Sequence, residues 1–379
     1  MIQNAAAHLV FNQPKTTRQA AVQIASLASS CCSHQIQNPD TCLQNHNENS
    51  SVLPELSHSD LHSLLLTTLD QQKPPDTTTA TGPENFERLL RAIYAPQNIY
   101  CVHVDKKTEA SALAAIMAIT SCFPNVFLAS RPVSVVYAAW PRVQADLNCM
   151  ADLYNVSTEW KYFINVCGQD FPLKTNLEIV RTLRSLKGRN SMESEKMPDG
   201  KIWRVTNAHR IGTGQKKTPP PFNLPILSGN AYIVVSRGYI RSVLEDERIQ
   251  TLMEWAKDTY SPDEFLWATI QRMPGVPGST RPHRKYDMTD INAIARLVKW
   301  QGHVGPKDSL DAVYPQCHGD YVRGICVYGA GDLQWMIAQH HLFANKFDIN
   351  TDPIAIYCLE KYLRLKALAE EITAIHPSY

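Results

Sequence analysis

The chain has 379 residues, and 37 Lys and Arg against 36 Asp and Glu give a formal charge of +1. That balance leaves no electrostatic footprint for nucleic acid. At 44% hydrophobic and 19% charged it can bury a large core, which excludes disorder throughout; no run approaches the roughly 18 apolar residues that cross a bilayer. The start has no basic region followed by an apolar one, so the chain as it stands predicts a soluble protein without an address label.

Residues 1–82 are rich in Gln, Asn, Ser, Thr and His, with one apolar patch around Leu61 to Leu69, and read as a stem-like, poorly ordered segment. The texture changes at Phe86, and 83–379 is expected to fold. Leu89, Leu90 and Ile93 recur at helical spacing, and Ile99 to Val104 is a β-branched run ending in Asp105. A helix over Ala110 to Thr120, a strand over Asn125 to Ala129, a helix over 141–154 and a buried strand over Trp160 to Val166 follow. This alternation predicts an α/β fold with a layered sheet. Thr175 and Glu178 form a capping box at the next helix. The charged, Pro-rich stretch 187–228 reads as a surface loop over a cleft. Beyond it the pattern predicts a strand at Ala231 to Ser236, two helices across 238–258, a helix over 262–272, a strand near Ile294 to Trp300, a helix running to about Asn345 and a last helix from Pro353 to Ile372.

The ten cysteines (31, 32, 42, 101, 122, 149, 167, 317, 326 and 358) show no CxxC or Cys/His metal spacing, which favours disulfides and an oxidising lumen. Cys317 and Cys326 close a short loop, while Cys101, Cys122 and Cys149 lie in an apolar stretch. Sequons at Asn49 and Asn155 agree with a secretory compartment.

The most informative stretch for chemistry is Tyr260-Ser-Pro-Asp-Glu264-Phe-Leu-Trp. Spacing favours a capping box, with Ser261 at the N-cap, Pro262 at N1 and Glu264 at N3. The other reading makes Glu264 a base that takes a proton from a hydroxyl. Arg323 and Lys346 each sit among apolar residues, where a cation needs an anionic partner: either a structural salt bridge or a phosphate on which both converge. Asp105, Lys106 and Lys107 close a strand, as a solvated end or as a ribose contact. His340 and His341 lack metal-ligand geometry, and Gly329-Ala-Gly331 lacks the third glycine of a dinucleotide loop. With no Gly-x-Ser-x-Gly elbow, P-loop or strand-end Asp-x-Asp pair, common hydrolase, NTPase and metal-dependent transferase readings fall away.

The segments Leu89 to Asp105, Val135 to Cys149, Cys167-Gly-Gln-Asp-Phe-Pro, Asp258 to Thr269 and Cys326-Val-Tyr-Gly-Ala-Gly-Asp-Leu closely resemble the β-1,6-N-acetylglucosaminyltransferases that make core 2 and core 4 branches on mucin-type O-glycans. The resemblance runs from about Phe86 to about Leu365. It implies a GT-A-like glycosyltransferase domain over 83–379, in a type II protein of the Golgi membrane facing the lumen. It further implies UDP-N-acetylglucosamine as donor, mucin-type O-glycans on glycoproteins as acceptors, and inverting transfer with no divalent metal or other cofactor. By motif position Glu264 is the base, Arg323 and Lys346 neutralise the departing diphosphate, and Asp105, Lys106, Lys107 and Tyr137 contact the nucleotide. Glu193, Lys201, Arg204, Lys285 and Trp300 fall on acceptor positions, although the segment around Ile202-Trp-Arg204 is rearranged and shortened relative to the family. The resemblance also pairs Cys101 with Cys149 and Cys317 with Cys326, leaves Cys167 a free thiol, and sends Cys122 and Cys358 to upstream cysteines.

Two departures stand out. The family's membrane anchor is absent from this chain. Its first apolar strand, which ends in a uridine-pocket histidine, is replaced before Phe86 by Asp76-Thr-Thr-Thr-Ala-Thr-Gly-Pro, a poor central strand. A sheet lacking that strand is the expectation, and with it a non-catalytic homologue with a crippled donor site is one alternative function. A related transferase that branches poly-N-acetyllactosamine is another.

Overall fold

Buried β-branched runs alternate with amphipathic helices, and the alternation builds stacked layers. The computed structural model describes residues 6–11, 68–69, 81–209, 215–280, 293–305 and 313–375, with the backbone alone at 6–11, 68–69, 81 and 371–375. Lys285, Cys31, Cys32, Cys42 and Asn49 lie outside the described residues. Strands β1 (Ala6–Phe11) and β2 (Thr68–Leu69) precede helix α1 (Thr81–Ile93). Then come β3 (Asn98–Val104), α2 (Ala110–Ser121), β4 (Val126–Leu128), α3 (Trp140–Val156) and β5 (Tyr162–Cys167). β6 (Asp170–Pro172) leads into α4 (Asn176–Ser185) through the expected capping box: the Glu178 N–H donates to the Thr175 hydroxyl at 3.2 Å, and the Thr175 N–H to the Glu178 carboxylate at 3.0 Å.

The stretch read as a surface loop is structured and partly internal. It holds β7 (Ser191–Met192), β8 (Glu195–Lys196), α5 (Trp203–Thr206) and β9 (Leu227–Ser228), with Asn190, Glu193, Ser194 and Ser228 buried. Two of its polar residues bond inward: Ser194 Oγ donates to the Ala268 carbonyl at 2.9 Å and Asn190 Nδ2 to Gln271 Oε1 at 2.8 Å. Next come β10 (Ile233–Ser236), α6 (Arg237–Glu245), α7 (Glu247–Ala256), α8 (Leu266–Ile270) and β11 (Arg296–Val298). The hairpin β12 (Asp320–Val322) and β13 (Ile325–Val327) precedes α9 (Leu333–Ile337), β14 (Phe343–Asn345) and α10 (Pro353–Ile375). The helix expected to reach Asn345 therefore stops at Ile337. Phe343, Ala344 and Asn345 are buried in a sheet instead, because β14 pairs with β11 on one side and β6 on the other.

Among the described residues the main sheet is seven-stranded, in the order β2-β3-β1-β5-β10-β7, with β4 also on β3. The first strand is not lost. β1 lies between β3 and β5, antiparallel to both, with His8 opposite Cys101 and Asn165. The run before Phe86 is indeed unsuited to that place; the apolar hexapeptide Ala6-Ala-His-Leu-Val-Phe11 occupies it from far upstream. Two disulfides fix the frame as the resemblance implied: Cys101–Cys149 ties β3 to α3, and Cys317–Cys326 closes the β12–β13 hairpin. Cys167 is a free, buried thiol and Cys358 is exposed on α10.

The main sheet meets the three-stranded sheet β11-β14-β6 at a fully buried ion pair. Arg296 Nη2 lies 2.9 Å from Asp170 Oδ2 and donates to the Asn165 carbonyl at 2.6 Å. Asp170 also accepts from Asn345 Nδ2 at 2.8 Å and from the Cys167 N–H. Removing one partner strands the other charge in the interior, so Asp170→Ala is expected to lower unfolding free energy by about 3–5 kcal/mol. Urea denaturation checks this, and a loss below about 1 kcal/mol would show that the junction does not depend on the pair.

Candidate active site

The strand ends and loops that collect at one end of the main sheet bring the chemistry-bearing residues together. At the end of β3, Asp105 is buried and acts on backbone: its Oδ2 accepts from the Val135 N–H at 3.0 Å and its Oδ1 from the Lys107 N–H at 2.8 Å. Lys107 Nζ lies 3.2 Å from Asp105 and donates to the Val135 carbonyl at 2.5 Å, while the Lys106 N–H donates to Val133 at 3.2 Å. The solvated strand end is thus excluded for Asp105. Its carboxylate folds the loop that carries Tyr137, whose ring is 42% exposed.

Glu264 is not a capping-box residue. Ser261 sits in the left-handed region (φ 46°) and makes no side-chain cap bond, so the Glu264 carboxylate is released from its own backbone. It pairs with Arg204 Nη1 instead and remains partly exposed. The expected helix over 262–272 divides at Phe265 into a 3-10 turn, Pro262–Glu264, and α8. The turn is anchored from both sides: the Ser261 N–H donates to the Ala138 carbonyl at 2.9 Å, and the Gly229 N–H to the Glu264 carbonyl at 2.7 Å.

From Glu264 a continuous wall runs to the cations. Arg204 lies 5.2 Å from the Tyr260 ring centroid, Tyr260 meets Tyr137 edge-on at 6.4 Å, and the Arg323 guanidinium lies 5.4 Å from the Tyr137 ring. Arg323 (φ 57°) and Gly324 (φ 73°) form the tip of the β12–β13 hairpin. Lys346, directly after β14, is buried and makes no ion pair among the described residues. Burial pulls its ammonium down to about 8, and the nearby Arg323 charge acts in the same direction. Next to Glu264, burial pushes the Asp263 carboxyl up to about 6; Arg142 opposes the rise and Glu264 adds to it.

The remaining site residues divide between the two ends. Glu193 is buried, and its backbone meets Gly229, which also binds the Glu264 carbonyl: a Cβ added at Gly229 would fall 2.6 Å from the Glu193 carbonyl oxygen. Lys201 closes a 3-10 turn just before α5 and is half-buried. Trp300, 41% exposed, belongs to the cationic end: it bridges Ile325, and the Gln301 N–H donates to the Gly324 carbonyl at 2.7 Å. Sequence reading missed Tyr260 and Trp203. Trp203 is 47% exposed, and its ring meets that of Tyr260 at a tilt with centroids 4.9 Å apart, beside the Arg204–Glu264 pair. The signal was a Trp-Arg pair in a stretch treated as a loop.

A family profile described as "Branch: Core-2/I-Branching enzyme" matches residues 77–337. The chain belongs to the Core-2/I-branching enzyme family. It is 60% identical over 291 residues to the human beta-1,3-galactosyl-O-glycosyl-glycoprotein beta-1,6-N-acetylglucosaminyltransferase, covering 75% of this chain and 68% of that protein. The human enzyme 3 of the same name is 58% identical, and a bovine herpesvirus 4 (strain LVR140) protein named as the first is 57% identical, each covering 75% of this chain and 66% of the relative. The chain thus spans about two thirds of the length of these curated relatives.

In this branching enzyme the one cluster of metal-ligand-type atoms among the described residues is Cys317, Cys326 and Asp332, and it is already committed. Its sulfurs are joined to each other, and Asp332 pairs with Lys299 at 2.6 Å. Gly229 is the tightest point beneath the carboxylates. Gly229→Ala is expected to destabilise the enzyme by about 1–3 kcal/mol through overpacking and to displace Glu264. Thermal melting and transfer assays check this; wild-type values for both would show that the contact yields freely.

Proposed function

We propose that this chain transfers N-acetylglucosamine from UDP-N-acetylglucosamine, with inversion and without a divalent metal, to the C6 hydroxyl of the N-acetylgalactosamine in mucin-type O-glycans. The observation that carries the reading is the wall from Glu264 through Arg204, Tyr260 and Tyr137 to Arg323, with Lys346 beyond: a carboxylate at one end, two cations at the other. The human relatives named as β-1,6-N-acetylglucosaminyltransferases supply the reaction class.

In this mechanism Glu264 accepts the hydroxyl proton as the C6 oxygen forms its bond to C1 of the donor sugar. The C1–O bond to UDP breaks on the opposite face, and its electron pair stays on the diphosphate. Arg323 and Lys346 balance the charge that grows there, a task that a bound cation performs elsewhere. Arg204 aims Glu264 through their ion pair. Tyr137, Asp105, Lys106 and Lys107 shape the nucleotide side; Glu193, Lys201 and Arg204 shape the acceptor side, with Trp203 as an added aromatic face, while Trp300, expected there, lies at the cationic end. An oxidising Golgi lumen suits the two disulfides and the exposed sequon at Asn155. Among the described residues no helix is long and apolar enough to cross a membrane.

Glu264→Gln is expected to lower kcat by about 10²–10⁴ while UDP binding by calorimetry stays intact. Unchanged turnover removes Glu264 as the base; absent UDP binding in the wild type favours the non-catalytic alternative. Mass spectrometry of products from core 1, core 3 and poly-N-acetyllactosamine acceptors assigns the acceptor.

The pH dependence follows from Lys346. Its cation is present below about 8 and lost as pH rises through that value. The kcat/KM for donor should therefore fall on an alkaline limb near pH 8, and Lys346→Arg, which stays charged, should move that limb upward. A limb unmoved by the substitution would assign it to another group.

A further inference from the structure

A cavity lies away from the candidate active site. It has a volume of about 450 Å³ and opens between the start of β5, the end of α4 and the start of α6. Glu264 is anchored through Gly229 at the entry to β10, whereas the cavity reaches Ser236 at that strand's far end, opposite Tyr162. The two places are separated by the length of β5, about 20 Å at roughly 3.3 Å per residue.

The lining is unusual in its charge. Lys161, Arg184, Lys187, Arg237 and Arg241 face the cavity and no acidic residue does, although the chain carries 37 basic and 36 acidic side chains. Lys161, Lys187, Arg237 and Arg241 make no ion pair among the described residues. A helix start is electropositive and favours acids, yet α6 begins on Arg237 with none in its first turn. Arg237 is held in place: it donates to the Tyr154 carbonyl at 3.0 Å and lies 4.1 Å from the Tyr154 ring and 5.3 Å from Trp160, while its Nε is buried with no hydrogen-bond partner. Four like charges around one hollow repel each other unless an anion enters.

We infer that this cavity is a second binding site, for a multiply charged anion bearing phosphate or sulfate oxygens. A guanidinium fixed on an aromatic base, with the charged groups of Lys161, Lys187 and Arg241 around the same hollow, suits such oxygens better than a single carboxylate. The anion comes either from a sulfated glycan or from a free phosphate compound.

Calorimetry on the whole chain, with UDP saturating the donor site, tests this using a sulfated heparin-type disaccharide in one arm and inorganic pyrophosphate in the other. One of them should bind, with affinity falling at least tenfold in the Lys187→Glu/Arg241→Glu double variant and on raising salt from 0.05 to 0.5 M, while transfer is unchanged. Binding must also persist in Arg323→Ala, which separates this site from the proposed donor site whether or not that assignment holds. Lys161→Glu is a second variant should the double one fail to fold. No binding of either probe, or equal binding by wild type and both charge-reversed forms, overturns the inference.

Discussion

The Asp170 carboxylate is the constraint on which the site depends. It sits where the two sheets meet and is held by Arg296, Asn345 and the Cys167 backbone at once. Those contacts fix the end of β5 against β14, and Lys346 is the next residue after β14. Burial pushes the Asp170 carboxyl up to about 6, against the pull of Arg296. A pair that leaves its acid harder to ionise than in water adds little net stability; what it supplies is placement. Positioning a cation within hydrogen-bond reach of a diphosphate demands that kind of rigidity.

The core of the fold was readable because its signals are local. The β-branched run ending at Asp105, the helical spacing of Leu89, Leu90 and Ile93 and the Thr175–Glu178 box each need only a few neighbouring residues to be recognised. β14 was not, since Phe343-Ala-Asn345 is too short to show a period and becomes a strand only through partners at 170–172 and 296–298. β1 was missed for a related reason: five apolar residues and a histidine in a polar segment carry no address for a slot between β3 and β5.

The site was legible in its residue types and illegible in its connections. Spacing matched Glu264 to a capping box, and only the left-handed backbone at Ser261 shows why the box does not form. Tyr260, one residue earlier, was given no role by spacing; its ring is the middle of the path between carboxylate and cations. Gly229 gave no signal either, because its role rests on a close approach of the Glu193 backbone that leaves no room for a Cβ.

Lys346 and Arg323 then explain each other. A lysine at the end of a buried strand meets two penalties, lost hydration and the repulsion of a neighbouring guanidinium, and both lower its affinity for a proton. A dianion placed between them removes both, since it replaces the lost water and screens the two charges from each other. In the proposed transfer this unfavourable arrangement of two cations therefore becomes favourable as negative charge accumulates, and most so when the sugar–phosphate bond breaks and that charge is greatest. Interactions that strengthen along the reaction lower its barrier, whereas those already satisfied in the resting site do not.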